Sequence, residues 1–126
     1  MTKPRMRLSA TVLDAPDARA LATFYEQLLG WTRWADEPEW VMLRPPEGGT
    51  GLSFQSEPNF VAPVWPSVPG EQIMMMHLDI AVQDLEAAVA LAVSAGARLA
   101  DFQPQDDVRV MLDPVGHPFC LFLESV

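Results

Sequence analysis

Thr11-Val12-Leu13-Asp14-Ala15-Pro16-Asp17 leads into a helical stretch that ends at Leu29-Gly30. Leu78-Asp79-Ile80-Ala81-Val82-Gln83-Asp84 leads into another that ends at Ala95-Gly96. With Asp17 set against Asp84 the two segments run in step, Gly30 falls within one residue of Gly96, and Ala10 stands opposite His77. The chain therefore reads as two copies of one unit.

Each copy passes from strand to helix. Leu21, Phe24, Tyr25, Leu28 and Leu29 recur at the spacing of one helical face. Asp14 or Asp17 suits the N-cap of that helix, Pro16 its first turn, and Gly30 a left-handed exit. In the second copy Leu85, Ala88, Val89, Ala92 and Val93 form the stripe, with Asp84 and Glu86 at the positive end and Gly96 closing it. Three short strands are expected after each helix: 32–35, 40–44 and 51–56, then 98–102, 108–112 and 119–124. Pro45-Pro46-Glu47-Gly48-Gly49 and Asp113-Pro114-Val115-Gly116 carry turn chemistry. The order is βαβββ, twice, an α+β fold in a single domain over 1–126: module one at about 7–56, a linker at 57–72 and module two at about 73–124. Pro58, Pro63, Pro66 and Pro69 make that linker semi-extended. Its Phe60, Val61, Val64 and Trp65 are too apolar for a free tail, so they are expected to pack on the body or on a partner subunit.

The 126 residues are 49% hydrophobic, enough for a real core. No run is long and apolar enough for a membrane span, and no signal-peptide pattern follows Lys3, Arg5 and Arg7. Cytoplasmic localisation is the expectation. A single cysteine, Cys120, leaves no internal disulfide. The net charge of −9 argues against nucleic acid as a partner; it either serves plain solubility or favours, through long-range steering, a cationic small ligand. No membrane partner is expected either.

Paired βαβββ units carrying Leu13-Asp14-Ala15-Pro16-Asp17, Phe24-Tyr25-Glu26-Gln27-Leu28-Leu29-Gly30-Trp31, His77-Leu78-Asp79-Ile80-Ala81-Val82 and Asp113-Pro114-Val115-Gly116-His117-Pro118-Phe119-Cys120 resemble the vicinal oxygen chelate superfamily. That superfamily includes glyoxalase I, extradiol dioxygenases, fosfomycin-resistance enzymes and metal-free bleomycin-binding proteins. More narrowly, the chain is similar to bacterial glyoxalase-like domain proteins, over Arg7 to Glu124. The resemblance implies a cup-shaped mixed sheet with helices on the convex side, a ligand pocket between the modules, and a homodimer. It also implies a divalent metal held by the first and last strands of each module, commonly His on the first and Glu on the last.

Aligning Phe54-Gln55 with Phe119-Cys120 places those ligand positions at Ala10, Gln55, His77 and Cys120. Alanine supplies no donor, and a neutral amide is a poor replacement for carboxylate on a hard cation. The expectation is a protein without the family's usual metal site and without a required cofactor; the alternative is a divalent metal, a softer one where Cys120 binds as thiolate, although a thiol buried in an apolar wall tends to stay protonated. Glu124 lies about 13 Å along the strand from Cys120, too far to substitute for it. Asp79 shares the parity of His77, about 6.6 Å along a strand that begins at Met74, and is suited to orient the imidazole.

Gln55, His77, Asp79, Arg109 and Cys120 are thus the candidate ligand-binding residues. His77 is also the candidate catalytic group, as general base, ligand anchor or residual metal ligand; the competing reading is a polar residue left behind when metal use was lost. Arg109 either meets an anionic group in the cup or is an exposed arginine paired with Asp106 or Asp107. His117 reads as a solvated turn residue. One or two of Trp31, Trp34, Trp40 and Trp65 are candidates to stack on a ligand, and Met74, Met75 and Met76 read as adaptable packing. The leading function is small-molecule binding; the alternative is a lyase or isomerase acting on a small oxygenated substrate through His77.

Overall fold

A computed structural model describes residues 2–125 and divides the chain into two compact units, 1–58 and 59–126. In the first, β1 (Ala10–Ala15), α1 (Ala18–Leu29), β2 (Thr32–Glu37), β3 (Trp40–Arg44) and β4 (Gly51–Ser56) form a four-stranded sheet in the order β1-β4-β3-β2 with one helix. The second repeats this with β5 (Leu78–Val82), α2 (Leu85–Ala95), β6 (Arg98–Leu99), β7 (Val108–Leu112) and β8 (Pro118–Leu123), in the order β5-β8-β7-β6. In each sheet the first and last strands pair in parallel and the remaining pairs are antiparallel. The fold is α+β, two βαβββ units.

Local chemistry explains both helices. Asp17 caps α1 by accepting from the N–H groups of Arg19 and Ala20 at 3.1 and 3.4 Å, and Gly30 closes it at φ +71°. Asp84 caps α2 by accepting from Ala87 N–H at 3.0 Å. The inner face of α1 is fully engaged. Leu21, Phe24 and Tyr25 are buried, the Phe24 and Tyr25 rings meet edge to face at 4.8 Å, and Tyr25 stacks on Phe54 at 5.6 Å. Val41, Leu43 and Leu52 complete that core.

The second unit departs from the expected pattern in three places. Of the expected α2 stripe, Ala92 is buried and Leu85, Ala88 and Val89 are half-buried, but Val93 lies outside the inner face, about half exposed. β6 is two residues long rather than five: past Leu99 one main-chain bond, Ala100 N–H to the Val110 carbonyl, continues the contact, and the Gln103 side chain then takes over, bonding Val110 N–H and the carbonyls of Ala100 and Val110. β5 begins at Leu78, not Met74, so His77 precedes the strand. The proline-rich stretch beyond Pro58 belongs to this unit: Phe60 packs against His117, and Trp65 against Phe102. No helix among the described residues is long and apolar enough to cross a membrane.

Candidate functional site

β5 and β8 run side by side with Asp79 opposite Cys120, and β7 places Val110 opposite Cys120 and Val108 opposite Phe122. Paired residues project to the same face of a sheet. Asp79, Cys120, Phe122 and Val108 therefore share one face of the second sheet. The other face carries Phe119, Leu121 and Met111, all buried.

His77 joins the first group. Its Nε2 lies 3.0 Å from Oδ1 of Asp79, in a pair whose side chains are 37% and 61% exposed. Together with Gln105, Asp107, Val108, Cys120 and Phe122, the pair lines a cleft of about 280 Å³. The imidazole is oriented by the carboxylate. In the neutral tautomer that donates from Nε2 to Asp79, Nδ1 is left as an acceptor. Burial, and then the negative charge of Asp79, push the Cys120 thiol above its ordinary pKa, so the sulfur is protonated at neutral pH. Replacing Asp79 with asparagine removes the charge and leaves the burial. In metal-free buffer at pH 8, Asp79→Asn is expected to alkylate at Cys120 with iodoacetamide severalfold faster than the parent; an unchanged or slower rate refutes the charge effect.

Arg109 lies elsewhere. It pairs with Leu121, which puts it on the opposite face, beside Leu85, Glu86, Val89 and Leu99. Its Nη1 donates to the carbonyls of Gln105, Asp106 and Val108, rather than pairing with the Asp106 or Asp107 side chain. Clefts lie on both sides of the strand, so alternation separates Arg109 from the valines without revealing that the valine side faces His77 and Asp79.

Gln55 and Ala10 belong to the first unit. Gln55 donates from Nε2 to Asp14 Oδ1 at 2.7 Å and is exposed. The strand register also shifts the comparison between the copies. β1 pairs Val12 with Ser53, while β5 pairs Asp79 with Cys120. Counted from the two helix caps, Val12 corresponds to Asp79. Ser53, not Gln55, is therefore the counterpart of Cys120, and Gln55 corresponds to Phe122. The shift is two residues, which preserves the face but moves the position about 6.6 Å along the strand.

Ser53 is 1% exposed, and among the described residues its hydroxyl is the buried side-chain polar atom left without a hydrogen-bond partner. Nothing in the sequence signalled this. Gln105 and Asp107 were likewise missed as cleft residues, since both lie in a segment with no regular structure. Trp34, exposed, carries the Arg44 guanidinium 4.2 Å over its ring, and Trp65 is engaged with Phe102.

The four-position metal set implied by resemblance does not fit these residues. Ala10 has no donor atom, and neither the Ser53 hydroxyl nor the Gln55 amide supplies the negative charge of a carboxylate.

The family model for the glyoxalase-like domain matches residues 10–122. A search of curated proteins finds no match. Among solved structures, the chain is similar to a glyoxalase/bleomycin resistance protein/dioxygenase family enzyme from Burkholderia phytofirmans PsJN, with a TM-score of 0.70 and 19% identity over 94% of this chain and 98% of that one. It is similar to a glyoxalase-related enzyme from Fulvimarina pelagi, with a TM-score of 0.69 and 20% identity over 95% and 89% of the two chains. It is also similar to TnmS3, an antibiotic binding protein from Streptomyces sp. CB03234, with a TM-score of 0.63 and 18% identity over 98% and 100%. With the family match running from the start of β1 into β8, through both βαβββ units, the chain belongs to the glyoxalase-like domain family of the vicinal oxygen chelate superfamily.

Proposed function

We propose that the protein binds a small organic molecule in the cleft of the second unit, independently of the family's usual four-ligand metal site. The observation that carries this reading is the oriented His77–Asp79 pair beside Cys120 in a cleft with both apolar and polar walls. Val108 and Phe122 offer apolar contact, the Gln105 amide offers a donor and an acceptor, and Nδ1 of His77 accepts from a ligand hydroxyl or N–H. Asp79 and Asp107 make the cleft acidic, and the net charge of −9 acts in the same direction. A neutral to cationic ligand rich in hydrogen-bond donors suits this lining. Family membership, and the similarity to a structure described as an antibiotic binding protein, support binding as the activity.

The His77–Asp79 pair favours a second reading. A carboxylate beside imidazole stabilises the imidazolium formed when histidine takes a proton, so His77 is suited to act as the base of a lyase or isomerase on a small oxygenated substrate.

A thermal-shift screen of metabolites and antibiotics in chelator-treated buffer, followed by calorimetry on the hits, tests the proposal. His77→Ala is expected to weaken a hit by about tenfold or more, the loss of one hydrogen bond with part of its charge assistance. Arg109→Ala, on the opposite face, is expected to change affinity by less than about twofold. Binding lost in Arg109→Ala and retained in His77→Ala would place the ligand elsewhere. Turnover by a hit, abolished in His77→Ala with the fold intact, would establish the enzymatic reading.

A further inference from the structure

Cys120 Sγ, an imidazole nitrogen of His77 and a carboxylate oxygen of Asp79 all lie within 4.8 Å of one another. The three residues come from one unit: His77 just before β5, Asp79 at its second position, and Cys120 from the neighbouring β8. From this cluster we infer a binding site for a thiophilic divalent cation, zinc above all, with three protein donors and one position open to the cleft. This site shares His77 and Cys120 with the four-position set that resemblance implies and differs in its third donor. It uses Asp79, which lies at none of those four positions, and it needs no donor from the first unit.

Three considerations support it. The first is geometry. Tetrahedral zinc, with bonds of about 2.0 Å to nitrogen or oxygen and about 2.3 Å to sulfur, holds its donors roughly 3.3–3.8 Å apart. His77 and Asp79 already meet at 3.0 Å, and their side chains are exposed enough to rotate toward the sulfur without disturbing the sheet. The second is charge. The Cys120 thiol releases its proton to solvent, and its sulfur electron pair binds the metal. Thiolate and ionised carboxylate then offset the dication, with neutral imidazole completing the set. The third is selectivity. A sulfur donor disfavours magnesium, calcium and manganese, and the Cys/His/Asp mixture matches zinc. Three protein ligands with an open position is the arrangement that admits water or a ligand oxygen. The inference shares the cleft with the proposed small-molecule site but does not depend on it.

The test uses the full chain, stripped with chelator under reducing conditions. Cobalt(II) is added as a spectroscopic substitute, and zinc affinity is measured by competition with a chromophoric chelator. One equivalent of cobalt is expected to give a thiolate-to-cobalt charge-transfer band in the near ultraviolet. Cys120→Ser is expected to lose that band and weaken zinc by at least about 100-fold, while Asp79→Asn weakens it by about 10–100-fold. Arg109→Ala is expected to bind as the parent does. Circular dichroism and melting curves establish that each variant is folded.

Cobalt bound without the sulfur band, zinc binding no tighter than about millimolar, or an affinity unchanged in Cys120→Ser overturns the inference. An affinity unchanged in Asp79→Asn overturns the three-donor site. The small-molecule screen in chelator is read separately: hits there with no metal binding sink this inference alone, and metal binding without hits sinks only the other.

Discussion

Phe54→Ala is expected to cost about 3–5 kcal/mol of stability, the range for truncating a fully buried aromatic ring. Phe54 is 0% exposed and stacks on Tyr25 at 5.6 Å, and Tyr25 in turn meets Phe24 edge to face. Deleting the ring opens a cavity at the junction of α1 with the central strands of the first sheet, and also forfeits the aromatic contact, which adds about 0.5–1.5 kcal/mol to its area burial. A domain of this size has roughly 5–15 kcal/mol in total, so the variant is left close to unfolding. With a urea dependence of about 2 kcal/mol per molar, the midpoint falls by about 2 M. Gln55→Ala is the control one residue along. That side chain is exposed and bonded to Asp14, and its loss is expected to stay within about 0.5 kcal/mol. A Phe54→Ala penalty below about 1 kcal/mol would show that α1 does not depend on this packing.

The contrast between Phe54 and Gln55 also shows how much of the molecule was legible beforehand. Helices were readable because their ends are marked by local chemistry: Asp17 and Gly30 for α1, Asp84 and Gly96 for α2. β4 was readable to its last residue because turn-forming glycines precede it and Pro58 follows. Correspondence between the copies was harder. The resemblance of Phe54-Gln55 to Phe119-Cys120 is a two-letter match, whereas the helix caps fix an offset that leads from Cys120 back to Ser53. Only strand pairing decides between them, and pairing partners lie dozens of residues apart. The face of Arg109 was hidden for a related reason. On a strand flanked by Val108, Val110 and Met111, alternation gives two faces but no label for either. His77, Asp79 and Cys120 were all named from sequence. Their convergence depends on β5 and β8 becoming neighbours, which no local pattern specifies.

Asp113→Ala is expected to cost about 3 kcal/mol, and its effect should reach the candidate site. Asp113 is 1% exposed and accepts at Oδ1 from the N–H groups of Val115 and His117, each at 3.0 Å. Main-chain bonds between Asp113 and His117, and between Gly116 and Asp113, close the same turn. The segment reads from sequence as an ordinary turn, yet its carboxylate fixes where β7 ends and β8 begins. Removing it leaves two amide donors unsatisfied in a part-buried loop, at about 1–3 kcal/mol each before relaxation and water entry. Asp113→Asn keeps an acceptor oxygen in place and is expected to lose only about 1 kcal/mol, the charge assistance of the two bonds. Denaturant midpoints of the two variants check the ordering, and hydrogen exchange at Val115 and His117 checks its cause, with rapid exchange in the alanine variant alone. β8 starts at Pro118, so a slackened turn frees the strand segment that holds Cys120 opposite Asp79. Faster alkylation of Cys120 in Asp113→Ala than in Asp113→Asn is the expected consequence. Equal rates and equal midpoints would show that β8 is positioned by its strand partners alone, and that the buried carboxylate contributes nothing to the site.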